Sequence, residues 1–281
     1  MQKIALITDS ACDLDLNTLK ENNINLLPLR IIYSNAEYRD RIDISPSEVY
    51  KNLENEIPKT SLPSAKDTEE ILNKLEEEGY THVICISISS GLSGSYNALR
   101  LALEDHPKLT SFVYDTKILA YPQGEIVLEV AKLIREGKNF NEIVSEMPNI
   151  RKRITGYFTL NTLEYLKKGG RIGRLAGTVG ELLNLKPIIT TDEDGVFYNV
   201  VKVRGRKQSL SKMTELLKGY LAKGKCEVAV LHAGCEDEAI KYMNSLKDLT
   251  NVVSIKIAEI SPSLGIHGGP GLMGFSVKMV K

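Results

Sequence analysis

Over its first third the chain alternates short runs of branched apolar residues with amphipathic stretches, the rhythm of strands joined by crossover helices. Residues 4–8 and 26–32 predict strands, and Leu16 and Leu19, at helical spacing, predict a short helix over 16–22. Pro46 suits the first turn of a helix reaching residue 53, because its missing N–H has no helical partner there. Asp67 is placed to cap a further helix ending near Gly79. The run HVICISIS, 82–89, has few charges and predicts an interior parallel strand covered on both faces. After SSGLSGSY, Tyr96, Leu99 and Leu103 mark one face of a helix. A strand over 111–114 and helices over 124–134 and 139–147 follow, the last stopping before Pro148.

From about residue 150 the texture changes. A basic entry, RKRITGYF, leads to a glycine-rich break, KKGGRIGRLAG, between two helix-like pieces. Residues 186–192 and 196–203 flank Glu193, Asp194 and Gly195 and predict a hairpin, since Asp-Gly takes the turn conformations that join antiparallel strands. A helix over 208–221, a strand over 227–232, a helix over 236–246 and a strand over 252–257 come next, and GIHGGPG reads as a loop feeding a last strand. The fold class is therefore α/β. An N-terminal parallel-sheet α/β domain, 1–150, and a C-terminal α/β domain with a mixed sheet, 151–281, would hold a ligand between them; a length of 281 residues suits two domains.

Composition narrows the function. Lys and Arg balance Asp and Glu at 36 each, which argues against a general nucleic-acid binder. The segment 151–224 nevertheless carries 15 Lys/Arg against 6 Asp/Glu, a local excess that calls for an anion or an acidic partner. The four cysteines, Cys12, Cys85, Cys226 and Cys235, lack metal-ligand spacing, and no metal or cofactor is expected. Cys85 and Cys226 read as buried hydrophobes, while Cys12, beside Asp13, has the alternative of a reactive thiol. MQKIALITDS is no signal peptide and no stretch is long enough to span a bilayer, so a cytoplasmic location without a transmembrane segment is expected.

Several polar groups lie where an open α/β sheet collects ligands, outside the carboxyl ends of its strands. Thr8, Asp9 and Ser10 follow the first strand; Asp9 could bind a metal or a hydroxyl, or cap the next helix. Thr60 and Ser61, in TSLPS, offer hydroxyl donors to an anion or form an ordinary surface turn. In SSGLSGSY, Gly91 and Gly94 permit close backbone approach and Ser93 adds a hydroxyl before a helix, which describes an anion site or a capped turn. The loop lacks the lysine of a phosphate loop, the dinucleotide glycine pattern and the G-x-S-x-G of a nucleophile elbow. Arg171, next to Gly169 and Gly170, and His267, among glycines, are further candidate donors to a carboxylate or phosphate.

Taken in order, LITDSACDL at 6–14, TSLPS at 60–64, SSGLSGSY at 89–96, YDT at 114–116, TLEYLKKGGRIG at 162–173, KP at 186–187 and HGGPG at 267–271 resemble the DegV family of bacterial fatty-acid-binding proteins. The resemblance covers nearly the whole chain. It implies a non-catalytic lipid carrier holding one long-chain fatty acid, with the carboxylate bound by Thr60, Ser61, Ser93 and Gly94, and with Arg171 and His267 near the head group or a partner. It further implies a separate ATP-dependent fatty acid kinase as partner, which phosphorylates the presented carboxylate so that acyl phosphate leaves for phospholipid synthesis. Ile31 and Leu272 are candidate tunnel residues, and Leu62 stands where many members carry a more polar residue. The alternative reading is a small-molecule enzyme using Asp9, Ser93 and His267 in an interdomain cleft.

Overall fold

The structure, a computed structural model, describes residues 2–178 and 185–281. The chain opens with β1 (Ile4–Asp9), α1 (Leu16–Glu21) and β2 (Ile24–Leu27). Three short strands follow, β3 (Arg30–Ile32), β4 (Glu37–Arg39) and β5 (Lys59–Ser61), with α2 (Pro46–Asn52) between the last two. Next come α3 (Ala65–Glu77), β6 (His82–Ser87), α4 (Ser95–Ala102) and β7 (Thr110–Asp115). Strands β1, β2, β6 and β7 form an all-parallel sheet in the order β2-β1-β6-β7, while β3, β4 and β5 form a small antiparallel sheet. The parallel strands read as continuous apolar runs because both faces are covered. Ile7, Val83 and Cys85 pack on one side with Leu72 and Leu99 of α3 and α4. Leu6, Ile84 and Ile86 pack on the other.

That other side is filled by α5 (Tyr121–Arg135) and α6 (Phe140–Lys152). The remaining elements are β8 (Ile154–Thr159), α7 (Glu164–Lys168), β9 (Leu185–Thr191), β10 (Phe197–Arg204), α8 (Arg206–Leu221), β11 (Cys226–His232), α9 (Glu236–Leu246), β12 (Val252–Glu259), α10 (Pro262–Gly268) and β13 (Met273–Met279). They build a six-stranded sheet in the order β10-β9-β8-β13-β11-β12. It is mixed, since β11 pairs with β12 in parallel and with β13 antiparallel. One hydrophobic core joins the two large sheets: Ile126 and Val130 of α5 and Ile143 and Met147 of α6 meet Ile84 and Ile86 on one side and Ile189, Phe197 and Leu231 on the other. The α/β class with a parallel and a mixed sheet is thus as expected.

Several boundaries differ from the sequence expectation. The run 26–32 is two strands in different sheets, β2 and β3, parted at Pro28, which has no N–H to continue a ladder. Helix α6 passes through Pro148 to Lys152, held by its buried face of Phe140, Ile143, Met147 and Ile150. The N-cap of α3 is Ser64, whose hydroxyl accepts from Asp67 N–H; Asp67 itself lies in the first turn. His267 sits in the last turn of α10 rather than in a loop. Cys12 is fully buried and burial pushes its thiol up to about 12, which removes the reactive-thiol reading.

Candidate functional site

A cavity of ≈ 260 Å³ lies between the carboxyl ends of the parallel strands and the six-stranded sheet. Its wall is drawn from many elements. Leu29 follows β2, Ile88 follows β6, and Ile118 and Leu119 precede α5, while Phe158, Phe197, Leu231 and Leu272 come from the C-terminal sheet and its flanks. Thr60, Ser61, Ser93, Arg171 and His267 are all on this wall. Gly94 is not; it is the N-cap position of α4, and a methyl there would lie 3.5 Å from the Leu62 side chain. Leu62 and Leu272 line the cavity, whereas Ile31 packs in a separate cluster with Val49, Leu53 and Ile266.

The polar residues of the wall are held by short-range contacts. His267 Nε2 lies 2.7 Å from Thr60 Oγ1. Arg171 reaches the Ser93 loop, donating from Nε to Leu92 O at 3.3 Å, and folds back on its own turn by donating from Nη1 to Gly169 O at 2.7 Å. Gly169 is required here, because a methyl on it would stand 2.1 Å from His267 Nδ1. Burial, with the Arg171 charge second, holds the His267 ring down at about 4, so it is neutral at physiological pH. Its Nδ1 is buried without a partner. Ser93 Oγ accepts from Ser95 N–H, the first of α4, at 3.3 Å and lies 2.9 Å from Ser95 Oγ, so Ser93 both braces the start of α4 and faces the cavity.

Other residues of these motifs have structural partners. Ser89 Oγ donates to Gly195 O at 2.8 Å, clasping the front of SSGLSGSY to the hairpin between β9 and β10, while Lys117 pairs with Asp115 and donates to Ser90 Oγ. Asp9 is not on the cavity wall. It is fully buried, with one oxygen accepting from Ile88 N–H at 2.9 Å and the other from Gln123 Nε2 at 2.9 Å. Burial pushes its carboxyl up to about 6. The role of Asp9 is to hold the start of the Ser93 loop against α5, and the enzyme constellation of Asp9, Ser93 and His267 does not converge. Of the basic residues in 151–224, Arg174 is paired with Asp192 and Asp194, and Arg206 makes a two-pronged pair with Glu238.

Sequence reasoning missed most of the apolar wall and also Ser263, which lines the cavity from α10. The available signal was positional: Leu29, Ile88, Phe158 and Leu231 lie at or just beyond the carboxyl ends of their strands. Among the described residues, no group of three or more His, Cys, Asp or Glu side chains could hold a metal ion, and no helix is long and apolar enough to cross a membrane.

Comparison with known proteins places these features in a family. The chain is 49% identical over 278 residues to a DegV domain-containing protein of Clostridium perfringens, covering 99% of each chain. Its structure superimposes on that of DegV, a fatty acid binding protein from Bacillus subtilis, with a TM-score of 0.93 at 28% identity and full coverage of both chains. It matches a stearic acid-binding protein from Eubacterium ventriosum with a TM-score of 0.87 at 28% identity, covering 99% of this chain and 98% of that one. A family model described as an uncharacterised protein of the DegV family matches residues 3–279. The chain belongs to the DegV family.

Proposed function

We propose that this protein binds one long-chain fatty acid between two domains, 1–150 and 151–281, and presents its carboxylate to a separate ATP-dependent kinase. The observation that carries the reading is the cavity. Thr60, Ser61, Ser93, Arg171 and His267 share one cavity wall, with His267 bonded to Thr60 and Arg171 bonded to Leu92 O beside Ser93, and the rest of that wall is dominated by Leu, Ile and Phe side chains. Its volume is near the lower bound of about 300 Å³ usual for small-molecule sites. Such a wall suits an amphiphile with one anionic end. Hydroxyl donors and a guanidinium favour a carboxylate, and an apolar remainder favours a hydrocarbon chain.

Relatives described as fatty acid binding and stearic acid-binding share the whole fold, which supports the ligand class. In the kinase step a carboxylate oxygen would attack the γ-phosphorus of ATP, ADP would leave, and the acyl phosphate would pass on to phospholipid synthesis in the cytoplasm. The carrier's part is to hold and orient the carboxylate, with Arg171 and His267 beside the phosphate as it arrives.

Native mass spectrometry of the purified protein, followed by solvent extraction, tests the reading. A bound long-chain fatty acid is expected. A protein free of ligand by both measurements, and unable to take up added long-chain acids, would sink it. Adding the kinase and ATP then reads acyl phosphate formation, with none expected from this protein alone.

A further inference from the structure

Two buried carboxylates of the N-terminal part hold the first turn of α10. Ser263 donates from its backbone N–H to Asp40 Oδ1 at 3.1 Å and from its hydroxyl to Asp40 Oδ2 at 2.5 Å. Ser10 donates to the same Oδ2 at 2.6 Å while accepting from Leu29 N–H at 3.0 Å. Ser261 N–H donates to Asp13 Oδ1 at 2.9 Å, an oxygen also reached by Arg41 at 3.2 Å. Arg41 in turn donates to Glu259 O at 2.7 Å, and the Tyr50 hydroxyl donates to Ile260 O at 3.1 Å.

The physical meaning comes from the helix itself. α10 has seven residues, too few to be stable alone, so tertiary contacts must set its position. A helix start leaves backbone N–H groups without internal partners, and a preceding Ser normally caps them from within the same segment. Here Ser261 makes no side-chain cap bond, Pro262 has no N–H, and the cap to Ser263 comes from Asp40, more than two hundred positions earlier. These bonds to carboxylates are among the stronger kind. The far end of the same helix, about 10 Å away, carries His267 against Thr60, and Ser263, Leu264 and Gly268 line the cavity along the way.

We propose that Asp40 and Asp13 are positioning residues of the ligand cavity, fixing α10 from its first turn so that its last turn sets His267 against Thr60. Neither carboxylate touches the ligand; both act through the helix. This gives the paired acids of the LITDSACDL and following segments a function that is separate from ligand contact. The affinity claim rests on the fatty-acid reading, but the claim about α10 does not.

The test uses the full-length protein and Asp40→Asn (D40N). Hydrogen–deuterium exchange of a peptide spanning 260–268 should speed up without any ligand. The His267 ring signal in NMR should titrate at higher pH in D40N, because a loosened α10 lets water reach the ring. Loss of the Asp40 charge alone would move it the other way. Palmitate affinity should fall roughly two- to thirtyfold, the range for residues that modulate a site without contacting its ligand. A folded D40N whose exchange, His267 titration and palmitate affinity all match the parent overturns the proposal. Where D40N does not fold, Asp13→Gly (D13G), which suits the left-handed backbone at φ 53° and removes the oxygen that accepts from Ser261 N–H and Arg41, is judged by the same three readouts. A parent that binds no palmitate defeats the fatty-acid reading, while exchange and titration still decide the role of the two acids.

Discussion

His267 Nε2 and Thr60 Oγ1 stand 2.7 Å apart, joining α10 to β5 across the cavity wall. With the ring neutral, the tautomer carrying its hydrogen on Nε2 donates to Thr60 and leaves the Thr60 hydrogen free for a carboxylate. A neutral buried histidine also has a consequence for stability.

Its folded value, about 4, lies below the usual 6.5, so between these values the unfolded chain binds the proton and the folded chain does not. This contribution is fully present above pH 6.5 and is lost as pH falls towards 4. Urea denaturation of the parent and of His267→Ala (H267A) across that range should show the parent gaining about 2 kcal/mol relative to the variant from the acid to the neutral end, allowing for partial solvent access. A difference independent of pH would refute a buried neutral ring.

Glu125 provides the opposite slope. Burial pushes its carboxyl up to about 7 against a usual 4.5, with its remaining hydrogen bond from Ser276 and the nearby Lys278 and Lys256 acting against the rise. The folded state therefore keeps the proton that the unfolded chain releases. Stability from this group is complete below pH 4.5 and is lost as pH rises through 7. Glu125→Gln (E125Q) keeps an acceptor for Ser276 and removes the buried charge. It should be more stable than the parent at pH 8, by up to about 3 kcal/mol, with the gain vanishing near pH 4.5. Equal stabilities at both pH values would contradict this.

How much could be read in advance depended on the range over which each feature is determined. The parallel sheet was legible because β1 and β6 carry their burial locally, as unbroken apolar runs. Thr60, Ser61, Ser93, Arg171 and His267 were legible as candidates because each stands in a short motif of small or hydroxyl residues. Gly94 stands in the same motif but at the entry to α4, beside the wall. The role of Asp9 was hidden because its partners, Ile88 and Gln123, are 79 and 114 positions away. The split of 26–32 into two sheets and the helix around His267 were hidden for a related reason, since each is decided by tertiary partners and not by local pattern.

Gly195 and the Ser93 loop mesh closely enough to be tested by one methyl. Gly195 has φ +77°, and a Cβ on it would stand 1.9 Å from Ser89 Oγ; a Cβ on Gly91 would stand 2.8 Å from both Asp194 O and Gly195 O. Gly195→Ala (G195A) combines backbone strain with a clash and should cost about 2 kcal/mol or more. Gly91→Ala (G91A) opens the same contact from the other side. Because either change already separates the two loops, the double variant should lose clearly less stability than the sum of the singles. Full additivity in thermal or urea unfolding would show that the loops do not depend on each other.

Ser93 has two duties, and one substitution can separate them. Its oxygen accepts from Ser95 N–H, so the hydroxyl hydrogen is left for Ser95 Oγ or for a ligand in the cavity. Ser93→Ala (S93A) removes the acceptor of Ser95 N–H at the start of α4, which should cost about 0.5–1.5 kcal/mol of stability without ligand. If the hydroxyl also donates to a carboxylate, the same change removes a bond to a charged group, worth about 1.5–3 kcal/mol, and fatty-acid affinity falls about 10- to 150-fold. Unfolding in the absence of ligand isolates the first effect. Titration with palmitate, well below the variant's melting temperature, isolates the second. The fatty alcohol of the same chain length is the control: it presents no carboxylate, so the affinity lost on substitution should be smaller for it. A folded S93A that binds palmitate as tightly as the parent removes Ser93 from the carboxylate site and shifts the assignment to Thr60 and Ser61, two further hydroxyls on the wall. An equal loss for acid and alcohol would mean that Ser93 acts by shaping the loop and not by recognising charge.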